Sequence, residues 1–172
     1  MARKENSKIL FWNQIKSPIG DVFFVWNEEG VLALSFVENN YSEILSDFIK
    51  HNFRIIRSAS PLENQLKEYF KGVRKEFDIK LRMKGTPYQK KVWRELIKVP
   101  YGETISYGEL ARRIGNPKGA RSIGMAVHLN PIGIVIPCHR VIMSNGEIGG
   151  FAGPVFIKKW LLRHEKSFGL VK

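Results

Sequence analysis

One segment of the chain combines residue types that suit nucleophilic chemistry. Cys138, the only cysteine, is followed directly by His139 and Arg140. The thiolate is the nucleophilic form of cysteine, and a neighbouring histidine can act as the base that produces it. The apolar, β-branched runs on either side (134–136 and 141–142) predict two strands that would bury the site. Burial alone would keep the thiol neutral and inert.

A carboxylate can complete this group. Glu165 is predicted on a C-terminal helix, because apolar residues recur at helical spacing before it: Phe156, Ile157, Trp160 and Leu161. His139 and Glu165 together could draw the proton from the sulfur. Each residue also has a plainer interpretation. A lone cysteine is commonly a small buried hydrophobic residue, and a lone histidine is commonly structural.

The composition is that of a folded protein, since 44% of the 172 residues are hydrophobic and 26% are charged. This length allows one domain or two small ones. A single cysteine forms no intramolecular disulfide and cannot supply the paired thiolates of a structural zinc site. We therefore expect a reducing compartment, the cytoplasm or a nucleus. No apolar run approaches the roughly 20 residues that span a bilayer, and we expect no membrane partner.

The charge is unevenly distributed. The net charge is +12, and residues 1–86 carry 14 basic and 11 acidic residues, whereas 87–172 carry 14 and 5. A basic excess in one half favours a polyanion such as nucleic acid, because phosphate neutralisation releases counterions. The alternative is a basic, well-solvated surface.

The first half predicts a small α/β module. Alternating apolar residues predict three strands of an antiparallel sheet, at 9–12, 21–26 and 31–36. Helical patterns follow at 41–51 and 62–71, and a further strand is predicted at 77–81. Residues 82–85 form the predicted joint to the second half.

The second half has clearer helix signals. A Thr-Pro-Tyr-Gln sequence at 86–89 matches a capping box and predicts a helix that ends near residue 100. Apolar spacing predicts a short helix over 107–114, and a second is predicted over 117–128 with Asn116 as its N-cap. Two helices joined by a short turn are typical of a helix-turn-helix, whose second helix usually contacts DNA.

Small residues are concentrated on that second helix. They are Gly119, Ala120, Ser122, Gly124 and Ala126. A slim helix surface fits the narrow minor groove, with the long side chain of Arg121 free to insert. The alternative is close packing against another helix, with Arg121 on a solvated face.

Taken together, the second half closely resembles the O6-alkylguanine-DNA alkyltransferases. The residues that carry the resemblance are Gly85-Thr86-Pro87, 100–104, Ser106-Tyr107, Asn116-Pro117, Ala120-Arg121, Asn130-Pro131, 137–141 and 160–165. The first half, through 17–20 and 65–70, resembles the family's ribonuclease H-like N-terminal domain less specifically.

The resemblance implies a DNA repair reaction. Members of the family bind duplex DNA through the minor groove, flip out a damaged guanine and transfer its O6-alkyl group to the cysteine. Carried over, Cys138 is the nucleophile, and His139, linked to Glu165 through a water in the family, is its base. Thiol exchange cannot reverse the thioether product, so each molecule acts once. The resemblance implies no metal and no organic cofactor.

The resemblance also implies roles for residues outside this group. Tyr107 supplies a proton or hydrogen bond to N3 of the leaving guanine, Asn130 braces the turn before the active-site strand, and Arg121 fills the vacated base stack. The implied DNA contacts add Ser106, Ala120, Ser122, Gly124 and Ala126. The implied substrate pocket comprises Val127, Val141, Ile148, Phe151, Ala152 and Gly153, with the backbone of Cys138 and Val141 holding the guanine amine.

Plainer interpretations remain for some of these residues. Tyr107 could be a core residue, Asn130 a helix C-cap and Phe151 packing under a loop. Several positions depart from better-known members of the family, and they bear on substrate size and DNA affinity. The departures are Val127 for a frequent Met, His128 for Arg, Gly133 for Pro and Pro154 for Gly.

The sequence thus predicts an α+β protein with a ribonuclease H-like domain over 1–84 and a helical DNA-binding and alkyl-transfer domain over 85–172. We expect a monomer that acts on double-stranded DNA through the minor groove. One alternative is a non-enzymatic helix-turn-helix regulator in which Cys138 is a sensor. Another is a cysteine hydrolase, although nothing specifies an acyl substrate.

Overall fold

The computed structural model describes residues 8–36, 40–151 and 153–169. The first half comprises β1 (Lys8–Ser17), β2 (Gly20–Asn27), β3 (Gly30–Ser35), α1 (Asn40–Lys50), β4 (Phe53–Arg57) and α2 (Pro61–Phe70). The second half comprises α3 (Pro87–Ile97), β5 (Ile105–Ser106), α4 (Tyr107–Arg113), α5 (Ala120–His128), one 3-10 turn (Cys138–Arg140), β6 (Val141–Ile142) and α6 (Val155–Gly169). The described residues therefore form a mixed fold of six α-helices and a four-stranded sheet, with β5 and β6 as a separate small pair.

The four-stranded sheet has the order β3-β2-β1-β4. The three predicted strands are confirmed, and tight turns make β1, β2 and β3 antiparallel neighbours. The sheet is not wholly antiparallel, because β4 pairs with β1 in parallel. The prediction did not include β4, and the predicted strand at 77–81 is wrong. In that segment only Leu81 forms a bridge, to Val31, and the backbone-to-backbone hydrogen bonds there involve only the two residues on either side of it, Lys80 and Arg82.

The sheet buries both of its faces. α1 covers one face, where Phe48 packs with Phe23 and Val25 in one apolar cluster. The other face packs against α2 and the second half, so that Phe24 of β2 and Trp93 of α3 belong to one larger cluster. This alternation follows from the period of two along a strand. The larger of the two clusters therefore spans both halves of the chain.

The N-caps of two helices in the second half can be compared with the predicted ones. The capping box is confirmed, since Thr86 Oγ1 accepts from the backbone N of Gln89 at 3.2 Å and the Gln89 side chain accepts in return at 2.8 Å. The predicted start of the second helix is wrong, because α5 begins at Ala120 and its N-cap is Gly119. Asn116 does not cap α5. Its side-chain amide donates to Tyr88 Oη at 3.3 Å.

The segment before the cysteine is a turn and not the predicted strand. Ile134 has a φ of 68°, in the left-handed region that is costly for a β-branched residue and incompatible with a strand. Asn130 stabilises this turn, since its Nδ2 donates to Ile136 O at 2.8 Å and its Oδ1 accepts from Ile132 N at 3.0 Å. The second predicted strand, at 141–142, is confirmed as β6, which pairs in parallel with β5.

The sheet of the first half continues into this turn. Leu34 N of β3 donates to Pro131 O at 2.9 Å, and Leu34 forms a parallel bridge with Ile132. The sheet edge therefore fixes the position of the segment that leads to Cys138. No helix in the described part of the chain is long and apolar enough to cross a membrane.

Candidate active site

Cys138 is the first residue of the 3-10 turn and is 2% exposed. The end of β3, the end of α5 and the turn after it enclose a cleft of about 210 Å³, and Cys138 lies in its lining with Asn130 and Gly133. We refer to this space as the Cys138 cleft. The only thiol of the chain therefore faces a small cavity although it is nearly inaccessible to bulk solvent.

A buried carboxylate lies behind the thiol. Glu165 of α6 is 1% exposed and accepts hydrogen bonds from four residues. His139 Nε2 lies 2.7 Å from its Oε1, and Arg140 donates to both of its oxygens at 2.9 and 3.0 Å. Tyr69 Oη donates at 2.7 Å and the backbone N of Gly102 at 3.2 Å. Burial raises the pKa of Glu165, but His139 and Arg140 outweigh it and hold that pKa well below its ordinary value.

The orientation of His139 leaves one ring nitrogen for chemistry. Its Nε2 is directed at Glu165, so the carboxylate accepts the Nε2 proton and Nδ1 carries the lone pair. Nδ1 is buried and has no hydrogen-bond partner among the described residues. Burial lowers the pKa of His139 despite the nearby carboxylate, which keeps the ring neutral. The water-mediated link to Glu165 implied by the family resemblance is wrong for this chain, because the two side chains are in direct contact.

Burial disfavours ionisation of the Cys138 thiol. Burial raises the pKa of Cys138, and this effect is opposed by a hydrogen bond from the Asn130 side chain, by the charge of Lys158 and by two backbone hydrogen bonds. Lys158 is fully buried on α6 and donates to Val141 O at 2.6 Å and to Gly150 O at 2.9 Å. Burial lowers its pKa to about 8, while Cys138 acts in the opposite direction. A stable thiolate would therefore depend on Asn130 and Lys158.

Tyr107, the first residue of α4, lies close enough to Cys138 for the thiol to affect its pKa. Its hydroxyl donates to Gly150 O at 3.3 Å, and burial raises its pKa, with a further contribution from Cys138. The phenol is thus a neutral donor beside the sulfur. The structure brings together the five predicted catalytic residues, namely Cys138, His139, Glu165, Tyr107 and Asn130.

The predicted DNA-contacting residues lie on a different surface. Ala120, Arg121 and Ser122 are exposed on the first turn of α5, and Gly124 is half-buried. The prediction for Ala126 is wrong. It is 2% exposed and packs in the core, where its carbonyl accepts from Trp93 Nε1 at 2.8 Å. Close packing of a small residue, the alternative considered for this helix, applies at that position.

Comparison with known proteins identifies the family. The family model described as 6-O-methylguanine DNA methyltransferase, DNA binding domain, matches residues 87–167. A methylated-DNA–protein-cysteine methyltransferase of Methanosarcina acetivorans is 42% identical over 158 residues, which cover 92% of this chain and 99% of that protein. The chain belongs to the 6-O-methylguanine DNA methyltransferase family.

Solved structures of the 6-O-methylguanine DNA methyltransferase family share the whole fold. The O6-methylguanine methyltransferase of Mycobacterium tuberculosis superposes with a TM-score of 0.84 at 37% identity, covering 95% of this chain and 96% of that chain. The same enzyme in complex with DNA superposes with a TM-score of 0.81 at 37% identity, covering 92% and 94%. The similarity therefore includes the first half, which lies outside the matched family model.

Of the remaining predicted residues of this family member, Phe151 and Gly153 lie against Phe36, which lines the cleft. Val127 and Val141 are buried, and Ile148, Phe151 and Gly153 are half-buried. Ser106 is the N-cap of α4, where its Oγ accepts from Glu109 N at 3.1 Å. Ala152 lies outside the described residues.

Three residues of the site were missed by sequence reasoning. Tyr69 contacts Glu165 from α2, and Lys158 contacts the loop carbonyls from α6. Phe36, at the end of β3, lines the Cys138 cleft. The sequence position of Lys158 could have indicated that it is buried. It lies one residue after Ile157 and two before Trp160, within the buried apolar stripe of its helix. Tyr69 and Phe36 read as ordinary core aromatics.

Proposed function

We propose that this protein repairs DNA by transferring the O6-alkyl group of guanine in duplex DNA to Sγ of Cys138. The single observation that carries the proposal is the buried 2.7 Å contact between His139 Nε2 and Glu165, beside the thiol, with His139 Nδ1 left unpaired. The name of the Methanosarcina acetivorans relative states a methyl donor, methylated DNA, and an acceptor, a protein cysteine. The DNA complex of the Mycobacterium tuberculosis protein supports DNA as the partner.

The first step is formation of the thiolate. Nδ1 of His139 is the base that takes the thiol proton, and Glu165 stabilises the resulting imidazolium. Asn130 and Lys158 stabilise the negative charge on sulfur, which offsets the burial that raises the thiol pKa. The thiolate therefore forms at the site of the transfer reaction, in a cavity that excludes bulk water.

The second step is displacement at the alkyl carbon. A bond forms between Sγ and that carbon, and the bond from the carbon to O6 breaks with its electron pair moving into the purine. Tyr107, whose raised pKa keeps it protonated, donates to N3 of the leaving base. His139 releases the proton that it took from sulfur and the leaving guanine takes up one proton, so the net reaction converts a thiol and an O6-alkylguanine into a thioether and guanine without an external oxidant or reductant. Because a thioether remains, each molecule acts once and no cofactor is consumed.

The DNA would be bound by the second half. α4 and α5 form a helix-turn-helix, and the exposed first turn of α5 enters the minor groove with Arg121 inserted in place of the extruded guanine. Extrusion is necessary because an atom stacked inside a duplex is out of reach of Cys138. The basic excess of residues 87–172, 14 basic against 5 acidic residues, adds sequence-independent affinity for the phosphates.

The organisation of the chain is part of the same proposal. Residues 1–84 form a ribonuclease H-like domain and residues 85–172 the DNA-binding and alkyl-transfer domain. The protein acts as a monomer on double-stranded DNA, in the cytoplasm or, in a eukaryote, the nucleus.

The decisive experiment uses a duplex that carries a labelled O6-methylguanine. We expect one label per protein molecule, located on the peptide that contains Cys138, and an intact mass increased by one methyl group. The C138A variant should bind the duplex and take up no label. Repeated release of free product would instead indicate a hydrolase. Tight binding without any label transfer would indicate a regulator in which the thiol is a sensor.

A further inference from the structure

A phenylalanine from the first half of the chain forms one side of the Cys138 cleft. Phe36 follows β3 directly and lines the cleft together with Cys138 and Gly133. Its ring stacks on Phe151 with a centroid distance of 5.5 Å and an interplanar angle of 2°. The face of the Phe36 ring is therefore held by the loop that, by resemblance, closes over the base.

Both edges of the same ring lie against glycines. A Cβ added at Gly133 would lie 2.6 Å from Phe36 Cε1, and one added at Gly153 would lie 2.8 Å from Phe36 Cε2. Real side chains do not approach so closely, so Phe36 occupies space that is open only because both positions are glycine. Gly133 is also one of the positions where this chain departs from better-known members of the family.

The backbone fixes the ring in this place. Leu34, two residues before Phe36, is hydrogen-bonded to Pro131 and forms a bridge with Ile132. The end of β3 is thus joined to the turn before Cys138 by one bridge and one backbone hydrogen bond. Phe36 cannot leave the cleft without breaking this pairing or rotating its own side chain away from Phe151.

We propose that Phe36 is a specificity-determining residue, which forms the wall on the alkyl side of the Cys138 cleft and restricts it to small O6 substituents. The inference rests on the proposed function. A methyl group fits beside the ring, whereas a benzyl group must displace Phe36 from its stack on Phe151. The first half of the chain thereby contributes to substrate selection and not only to stability.

The test compares single-turnover transfer from two duplexes, one with O6-methylguanine and one with O6-benzylguanine. We expect the F36A variant to raise the ratio of the benzyl rate to the methyl rate at least about tenfold, since the fit of one methylene already changes discrimination by that order. The matched control is F11A, which removes another half-buried phenylalanine of the first half, on β1, whose ring lies 5.8 Å from Trp26 outside the cleft. F11A should leave the ratio unchanged.

A double-mutant cycle distinguishes a steric role of Phe36 in the cleft from a general loss of packing. G133A should slow methyl transfer in the parent protein, because its Cβ meets the Phe36 ring, and should have little effect when F36A is present. If the parent transfers methyl groups but F36A leaves the benzyl-to-methyl ratio unchanged, this inference is wrong and the proposed function stands. If the parent transfers no methyl group, the proposed function itself is wrong.

Discussion

Tyr69, on α2 in the first half, donates a hydrogen bond from its hydroxyl to Oε1 of Glu165 at 2.7 Å. The same carboxylate oxygen lies 2.7 Å from His139 Nε2. The two halves of the chain therefore meet at the group that orients His139, the proposed base. The first half stabilises the catalytic arrangement through a residue 96 positions away in sequence.

Replacing Tyr69 by Phe tests this relationship. Removing the hydroxyl should lower the free energy of unfolding by about 1.5–3 kcal/mol, the range for a buried hydrogen bond to a charged group. Transfer should also slow, because Glu165 holds His139 less firmly. Urea denaturation and single-turnover kinetics measure the two effects. Y101F is the matched control, since Tyr101 Oη is buried without a hydrogen-bond partner among the described residues. Equal effects of Y69F and Y101F would contradict the proposed role.

Acid should destabilise the protein through Glu165. Its pKa is held below the ordinary value of 4.5, so the unfolded chain binds a proton more readily than the folded one. The stabilisation is complete above that ordinary value and is lost as the pH falls through the lower folded pKa. The free energy of unfolding should therefore fall steeply below about pH 4.5 in the parent protein.

The E165Q variant should lack much of this acid dependence. It should also be less stable at neutral pH, by about 3–5 kcal/mol, because Arg140 remains buried without its charged partner. E109Q is the control, since the pKa of Glu109 is also lowered, by hydrogen bonds from Arg112 and Arg113, but on an exposed surface that solvent screens. A parent-like acid slope in E165Q would contradict the assignment.

Local signals in the sequence predicted much of this arrangement, and long-range contacts account for what was missed. The capping box at Thr86, the helix that carries Glu165 and the strand at 141–142 follow from residue types a few positions apart. The turn through Ile134 does not, because side-chain hydrogen bonds from Asn130 override the β preference of its apolar run. Nor do the positions of Tyr69 and Phe36 follow, since their partners are distant in sequence and belong to the other half.

Lys158 should set the reactivity of the thiol. The charge of Lys158 lowers the pKa of Cys138. A nearby opposite charge typically lowers the pKa of an acid by about one to three units, so K158M should reduce the thiolate fraction at neutral pH at least about tenfold. The rate of Cys138 alkylation by iodoacetamide, followed against pH, measures this directly. In the parent protein the pKa of Lys158 is lowered to about 8, so its support for the thiolate weakens above that pH. K158M should therefore remove the change in the pH dependence of Cys138 alkylation near pH 8. K159M, which removes a neighbouring exposed lysine, should preserve that change.

Arg121 should matter for duplex DNA and not for the chemistry itself. It is exposed on the first turn of α5 and belongs to no part of the buried group around Cys138. R121A should therefore slow transfer from O6-methylguanine in a duplex much more than transfer from the free O6-methylguanine base, which needs no extrusion. R94A removes an exposed arginine from α3 and provides the same change of charge. If R121A and R94A slow duplex transfer equally, Arg121 contributes only to phosphate attraction. Equal losses on duplex and free base would place it in the reaction, against the position that the structure gives it.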